Sequence, residues 1–184
     1  MESTEEGSPT GWLLLVYRIP SEPTRLRAGV WRRLKGLGAI YVQSSTAALP
    51  GGPAEERALR GLRNEIVEMG GSAFLLTARV LAGEPALVAA FNAARDDEYE
   101  EIVDRCEDFL RQVAKEYEAA HFTFAELEEN DVDLVKLRSW YEKVRARDRF
   151  EATGSAPCEE ALARCDKALE DYANRVYAEV GDGA

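Results

Sequence analysis

The segment Trp12–Ile19, reading WLLLVYRI, constrains the fold of this chain more than any other stretch. Its longest apolar run, Trp12 to Tyr17, is far too short to span a bilayer. Its length and apolar density are those of a β-strand. Alternation puts Leu13, Leu15, Tyr17 and Ile19 on one face, and Trp12, Leu14 and Val16 on the other, ending in Arg18. A strand that is apolar on both faces is expected in the middle of a sheet with both faces covered. Pro20 and Pro23 then stop it, because proline removes a ladder donor.

The pattern that follows fills out a small sheet. Thr24 is placed to cap a helix whose apolar positions are Leu26, Val30, Leu34 and Leu37, ended by Gly36 and Gly38. The segment AIYVQSSTAAL reads as two short strands around Ser44–Ser45, ended by Pro50. GGP leads into a second helix with Leu59, Leu62, Ile66 and Met69 at helical spacing, terminated by Gly70–Gly71. In SAFLLTARVL, Phe74, Leu76, Ala78 and Val80 alternate with Leu75, Thr77, Arg79 and Leu81. The order strand, helix, two strands, helix, strand is that of the ferredoxin-like βαββαβ arrangement. We therefore expect an α+β chain with a ferredoxin-like head over 11–82.

Beyond Pro85 the texture changes, and only helical spacings of three and four recur. A short apolar piece, ALVAAFNAA, leads to Asp96–Asp97, which are good helix N-caps. Tyr99, Ile102, Cys106, Phe109 and Val113 form one stripe. Thr123–Glu126 has the form of a capping box, ahead of a helix carrying Leu134, Leu137, Tyr141 and Val144. After the break ATGSAP, a last helix carries Leu162, Cys165, Leu169, Tyr172 and Val176. Three helices with narrow apolar seams are expected to pack on one another over 84–180, packed on or beside the head. The ends, 1–10 and 181–184, are expected to be flexible.

Charge narrows the function. Of the 184 residues, 23 are Lys or Arg and 34 are Asp or Glu, a net charge of −11. Up to Val80 there are ten Arg/Lys against eight Asp/Glu; beyond it, thirteen against twenty-six. This balance disfavours non-specific binding to nucleic acid or anionic membrane, so any nucleic-acid role must rest on a local patch or a partner. The start lacks the basic and apolar regions of a secretion signal, and Cys106, Cys158 and Cys165 form no CxxC pair. A reduced cytoplasmic protein with no membrane association is expected, with the thiols as small core residues. Cys158, near a helix start, is the thiol expected to be most exposed.

Catalytic signals are absent. The single His121 has no Ser or Cys nucleophile in a local motif and reads as a packing or surface histidine. The acids of DDEYEE and ELEENDVD read as solvated helix faces, with no histidine partners for a metal. GLG and PGGP match neither a phosphate loop nor a dinucleotide fingerprint. No enzyme activity, cofactor or metal is expected. The exception to the acidic texture is Tyr17–Gly38, with six Arg/Lys and one Glu. Arg25, Arg32, Arg33 and Lys35 lie off the apolar helix face. Two readings are open: a solvated amphipathic face, or an anion-facing surface whose guanidinium forks match phosphate or another tetrahedral oxyanion.

The chain also resembles the N-terminal domain of the ChrB family of chromate resistance proteins. The residues that carry this are WLLLVYRIPSEPTRLRAGVWRRLKGLGAIYVQSSTAALP and EIVEMGGSAFLL. They continue with ELEENDVDLVKLRSWYEKVRARDRF and ALEDYANRVYAE, so the likeness runs from about Gly11 to Val180. It implies a chromate-responsive regulator of an efflux operon, with operator DNA and chromate or another oxyanion as ligands. ChrB proteins usually continue into a second domain of comparable size. Since the chain stops at Ala184, a separate ChrB C-terminal-domain protein is an expected partner. VYRIP, LKGLG and VQSS in the first eighty residues are also similar to the small ferredoxin-like subunit of CRISPR spacer acquisition and to phenylacetate-pathway repressors. In nuclease-like members of that group an Asp closes the first strand and binds a divalent metal. Here the position is Arg18, which would repel the cation, so the resemblance implies no metal-dependent nuclease and adds Arg18 to the anion-binding candidates. It also implies a homodimer. The alternative to a DNA-linked regulator is a dimeric protein-interaction module that binds no DNA itself.

Overall fold

The computed structural model describes residues 11–182. The first elements are β1 (Trp12–Arg18), α1 (Thr24–Leu37), β2 (Ile40–Gln43), β3 (Thr46–Pro50), α2 (Pro53–Glu68) and β4 (Ser72–Ala78). Three long helices follow: α3 (Glu84–Glu118), α4 (Phe124–Arg145) and α5 (Ser155–Asp182). The protein is thus a mixed α/β chain with a four-stranded antiparallel sheet and five helices. It divides into two compact units, one through Phe91 and one from Asn92, so the division falls inside α3. The stretch 1–10, expected to be flexible, lies outside the described residues, as do 183 and 184; α5 itself continues to Asp182.

In the first unit the strand order is β2-β3-β1-β4. β1 sits between β3 and β4, with Leu13 opposite Leu49 and Thr77, and Leu15 opposite Ala47 and Leu75. Alternation therefore sends Leu13 and Leu15 into one core, with Ala47, Leu49 and Ala73 from the sheet. Val30 and Leu34 of α1, and Leu59, Leu62 and Ile66 of α2, close that core from the helices. The other sheet face departs from the expectation of full cover. Trp12 is buried, its ring edge-on to Phe91 with centroids 6.0 Å apart, but Leu14 and Val16 are only half-buried and their neighbours Phe74 and Leu76 are exposed. The strand-centre pattern thus marks a central strand correctly while overstating how far its second face is covered.

Helix ends follow local chemistry with two exceptions. Gly38 takes a left-handed φ of 80°, and its N–H reaches the carbonyl of Lys35 at 2.9 Å, closing α1. Pro53 opens α2, where its missing N–H costs nothing. Thr123 accepts from the Glu126 N–H at 3.3 Å and caps α4 as its sequence suggests. Thr24, by contrast, is already helical and gives α1 no side-chain cap; Pro23 holds that position. Asp96 and Asp97 do not start a helix either, because α3 runs unbroken from Glu84. The helix-forming run EPALVAAFNAA simply continues through them. Asp96 instead serves another segment, accepting from the Gly154 N–H at 2.7 Å and the Thr153 hydroxyl at 3.3 Å.

The second unit buries the stripes its periodicity implies. Tyr99, Ile102, Cys106, Phe109 and Val113 of α3 meet Leu134, Tyr141 and Val144 of α4 and Leu162, Cys165, Tyr172 and Val176 of α5 in one core. All three cysteines are buried, Cys158 as fully as the others, so its expected exposure is corrected. It lies one turn inside α5, on the face turned toward Ala161, Leu162 and Cys165. Two polar groups are enclosed with their partners. Arg95 and Glu98 pair at 2.8 Å, and Arg147 also reaches Glu98. Glu116 accepts from Asn130 at 2.7 Å and from Gln112 at 3.0 Å.

Candidate anion-binding cleft

The end of β1 forms one wall of a cleft of about 470 Å³ in the first unit. Arg18 is the last residue of β1, and Arg27 and Trp31 come from one side of α1, four residues apart. The turn between β2 and β3 contributes Ser44 and Ser45, and it is tied down by the Tyr17 N–H, which donates to the Ser45 carbonyl at 2.9 Å. Tyr17 and Tyr41 meet hydroxyl to hydroxyl at 2.9 Å, so one O–H proton is used between them and the second is left to donate elsewhere. Burial, and then the Tyr41 hydrogen bond, push the Tyr17 phenol well above its ordinary value, so it remains a neutral donor.

Two features make this cleft suited to an anion. Among the described residues neither Arg18 nor Arg27 has an acidic partner, while many other arginines of the chain do. The remaining polar groups are hydroxyls, which can donate to oxygen. Guanidinium forks with hydroxyl donors can bind phosphate or another tetrahedral oxyanion without any chemistry upon it.

The five residues singled out from the sequence are not all brought together. Arg18 lines the cleft. Arg25, Arg32, Arg33 and Lys35 are exposed on α1 but do not line it. Arg33 is turned toward α2, where it pairs with Glu65; Arg32 donates to the Ala28 carbonyl at 3.3 Å. The Lys35 ammonium lies 5.4 Å from the centre of the Trp31 ring. Arg27 was missed. No sequence signal sets it apart from the other exposed arginines of α1; it lines the cleft because the side of α1 it shares with Trp31 lies beside the end of β1.

Other hollows have different chemistry. A larger groove of about 620 Å³ runs between α4 and α5, with Phe124, Val135 and Tyr177 exposed along it and Glu128, Asp131 and Glu170 at its rim. Its one arginine, Arg138, is paired with Asp166. Among the described residues no group of three or more His, Cys, Asp or Glu side chains is placed to hold a metal ion, and no helix is long and apolar enough to cross a membrane. His121 is exposed, and its carbonyl accepts from the Tyr172 hydroxyl.

The family model for "Protein ChrB, N-terminal" matches residues 27–183. The chain belongs to the ChrB N-terminal family. A curated ChrB-family relative, Protein ChrB of Cupriavidus metallidurans, is 25% identical over 161 residues, covering 86% of this chain and 46% of that protein. The chain therefore spans about half the length of that relative. No solved structure matches the chain at a significant level. The family match begins at Arg27, so it takes in most of α1 and leaves Arg18 outside.

Proposed function

We propose that this ChrB-family chain is a non-enzymatic regulatory or accessory protein of chromate resistance, acting in the cytoplasm by binding anions at its head. The observation that carries this reading is the pair of arginines, Arg18 and Arg27, that share a cleft with hydroxyl donors and lack acidic partners among the described residues. Operator phosphates and free chromate are both within its chemistry. The strand order, which from the opposite edge reads β4-β1-β3-β2, supports treating the head as ferredoxin-like.

The test is fluorescence anisotropy with labelled DNA from upstream of the protein's own operon, alongside equilibrium dialysis with chromate. Binding of either ligand at low salt, lost in the Arg18→Ala/Arg27→Ala double variant, is the expected result. Absence of binding to both by the intact chain would overturn the reading. A second reading, a dimeric interaction module, is favoured by the exposed Phe74 and Leu76 on the sheet and by the acid-rimmed groove between α4 and α5. It predicts a concentration-dependent dimer in sedimentation that Phe74→Glu dissociates, with no affinity for DNA.

A further inference from the structure

We propose that the Arg18/Arg27 cleft takes a nucleoside phosphate, with the base laid against Trp31 and the phosphate on the two arginines. This rests on the anion-binding reading above and deepens it. A four-oxygen anion fills only a small part of a 470 Å³ cleft, whereas that volume lies in the range used for whole small ligands. The walls also differ in kind. Arg18, Arg27, Ser44 and Ser45 supply donors for phosphate and sugar oxygens, while Trp31 and Tyr41 supply aromatic surface that a bare oxyanion cannot use.

Trp31 is the feature that decides between ligands. It is 49% exposed on the helix surface, so part of its indole is open to a ligand at the cleft it lines. The other two tryptophans are withdrawn, Trp12 buried and Trp140 half-buried. An exposed indole beside guanidinium groups that have no acidic partner among the described residues can hold a base and its phosphate together, since every base has a face to stack. The Lys35 ammonium lies over the Trp31 ring, 5.4 Å from its centroid, beside the cleft without lining it. A second hollow of this unit with two arginines lacks this combination: Arg60 is paired with Glu56 at 2.6 Å, and Arg63 donates to the Ala73 carbonyl and to Asn64. The α4/α5 groove has aromatic surface but an acidic rim, which repels phosphate.

The ligand could be a free nucleotide or one residue of a single strand, and the experiment separates them. The full chain is titrated calorimetrically with inorganic phosphate, ribose 5-phosphate, AMP and a short oligo(dA). AMP is expected to bind at least ~10-fold more tightly than ribose 5-phosphate, the increment a stacked base supplies. Trp31→Ala should abolish that increment and leave the phosphate affinity unchanged. The Arg18→Ala/Arg27→Ala variant should lose all of them while keeping the wild-type circular dichroism. Tighter binding of oligo(dA) than of AMP would assign the site to single strands; equal or weaker binding would assign it to free nucleotide. If AMP and ribose 5-phosphate bind alike, or if Trp31→Ala keeps the increment, the nucleotide inference falls while the anion-binding reading stands. If no phosphate compound, chromate or DNA binds, both fall.

Discussion

Gly71 fixes the end of the strand that carries Arg18. A Cβ at this position would lie 2.5 Å from the Arg18 carbonyl oxygen and 2.9 Å from both the Ile66 carbonyl and its methyl group. Two of those neighbours are backbone, so relief requires β1 and α2 to separate. Gly71→Ala is therefore expected to cost about 1–3 kcal/mol in urea unfolding and to weaken anion binding by displacing Arg18. Gly29, which has nothing within 4 Å of its would-be Cβ, is the control. Gly29→Ala should stabilise by about 0.5–1 kcal/mol through helix propensity alone. A Gly71→Ala protein with the wild-type midpoint would show that the strand end is not held there. Single residues were also where the sequence was least informative about the site. Arg18 stood out only through the resemblance, at the position where nuclease-like relatives close the first strand with an Asp. Arg33 and Arg27 look alike in sequence, yet one is turned to Glu65 and the other lines the cleft. That distinction depends on which side of α1 meets the sheet edge, which is set by tertiary packing.

At the scale of elements, periodicity carried most of the information. The stripes of α3, α4 and α5 are buried as their spacing implies, because a helix with one apolar seam has one way to hide it. Boundaries were harder where propensity overruled capping signals, as with Asp96–Asp97 inside α3. The same helical core leads to a pH prediction. Burial pushes Cys158 up to about 12 from an ordinary 9.0, and Tyr99 and Tyr172 up to about 12 from 10.0. Its hydrogen bond with Cys106, and then burial, raise Cys165 as well. The folded state therefore keeps protons that the unfolded chain releases sooner. These groups contribute their full stability below about pH 9, and the contribution is lost as the pH climbs toward 12. Urea midpoints measured from neutral pH upward should hold near pH 8 and fall steadily above pH 9. Iodoacetamide should leave all three thiols unmodified in the native state and label them on unfolding. A midpoint flat to pH 11, or rapid native labelling, would contradict the enclosure of this core.

The whole molecule sets the electrostatic setting in which the cleft must work. A chain with net charge −11 repels a polyanion at long range, so productive contact with DNA depends on how many phosphates its local cations neutralise. The number can be read from salt dependence, because the logarithm of the affinity falls with log salt by about 0.9 per phosphate contacted on duplex DNA. If DNA engages only Arg18 and Arg27 in the cleft, the slope is about −2. If it lies along α1 and also meets Arg25, Arg32 and Lys35, the slope is about −4 to −5. Added salt also screens the general repulsion between DNA and the acidic chain, which flattens the slope rather than steepening it. A steep value therefore cannot come from net charge and would assign binding to the helix face. The geometry favours the shallow one, since only Arg18 of the five sequence candidates lines the cleft and Arg33 is engaged by Glu65. Anisotropy titrations over a salt series distinguish the two: a slope near −2 that vanishes in the Arg18→Ala/Arg27→Ala variant supports the cleft. A slope of −4 or steeper in the intact chain that falls only to about −3 in that variant transfers DNA binding to α1.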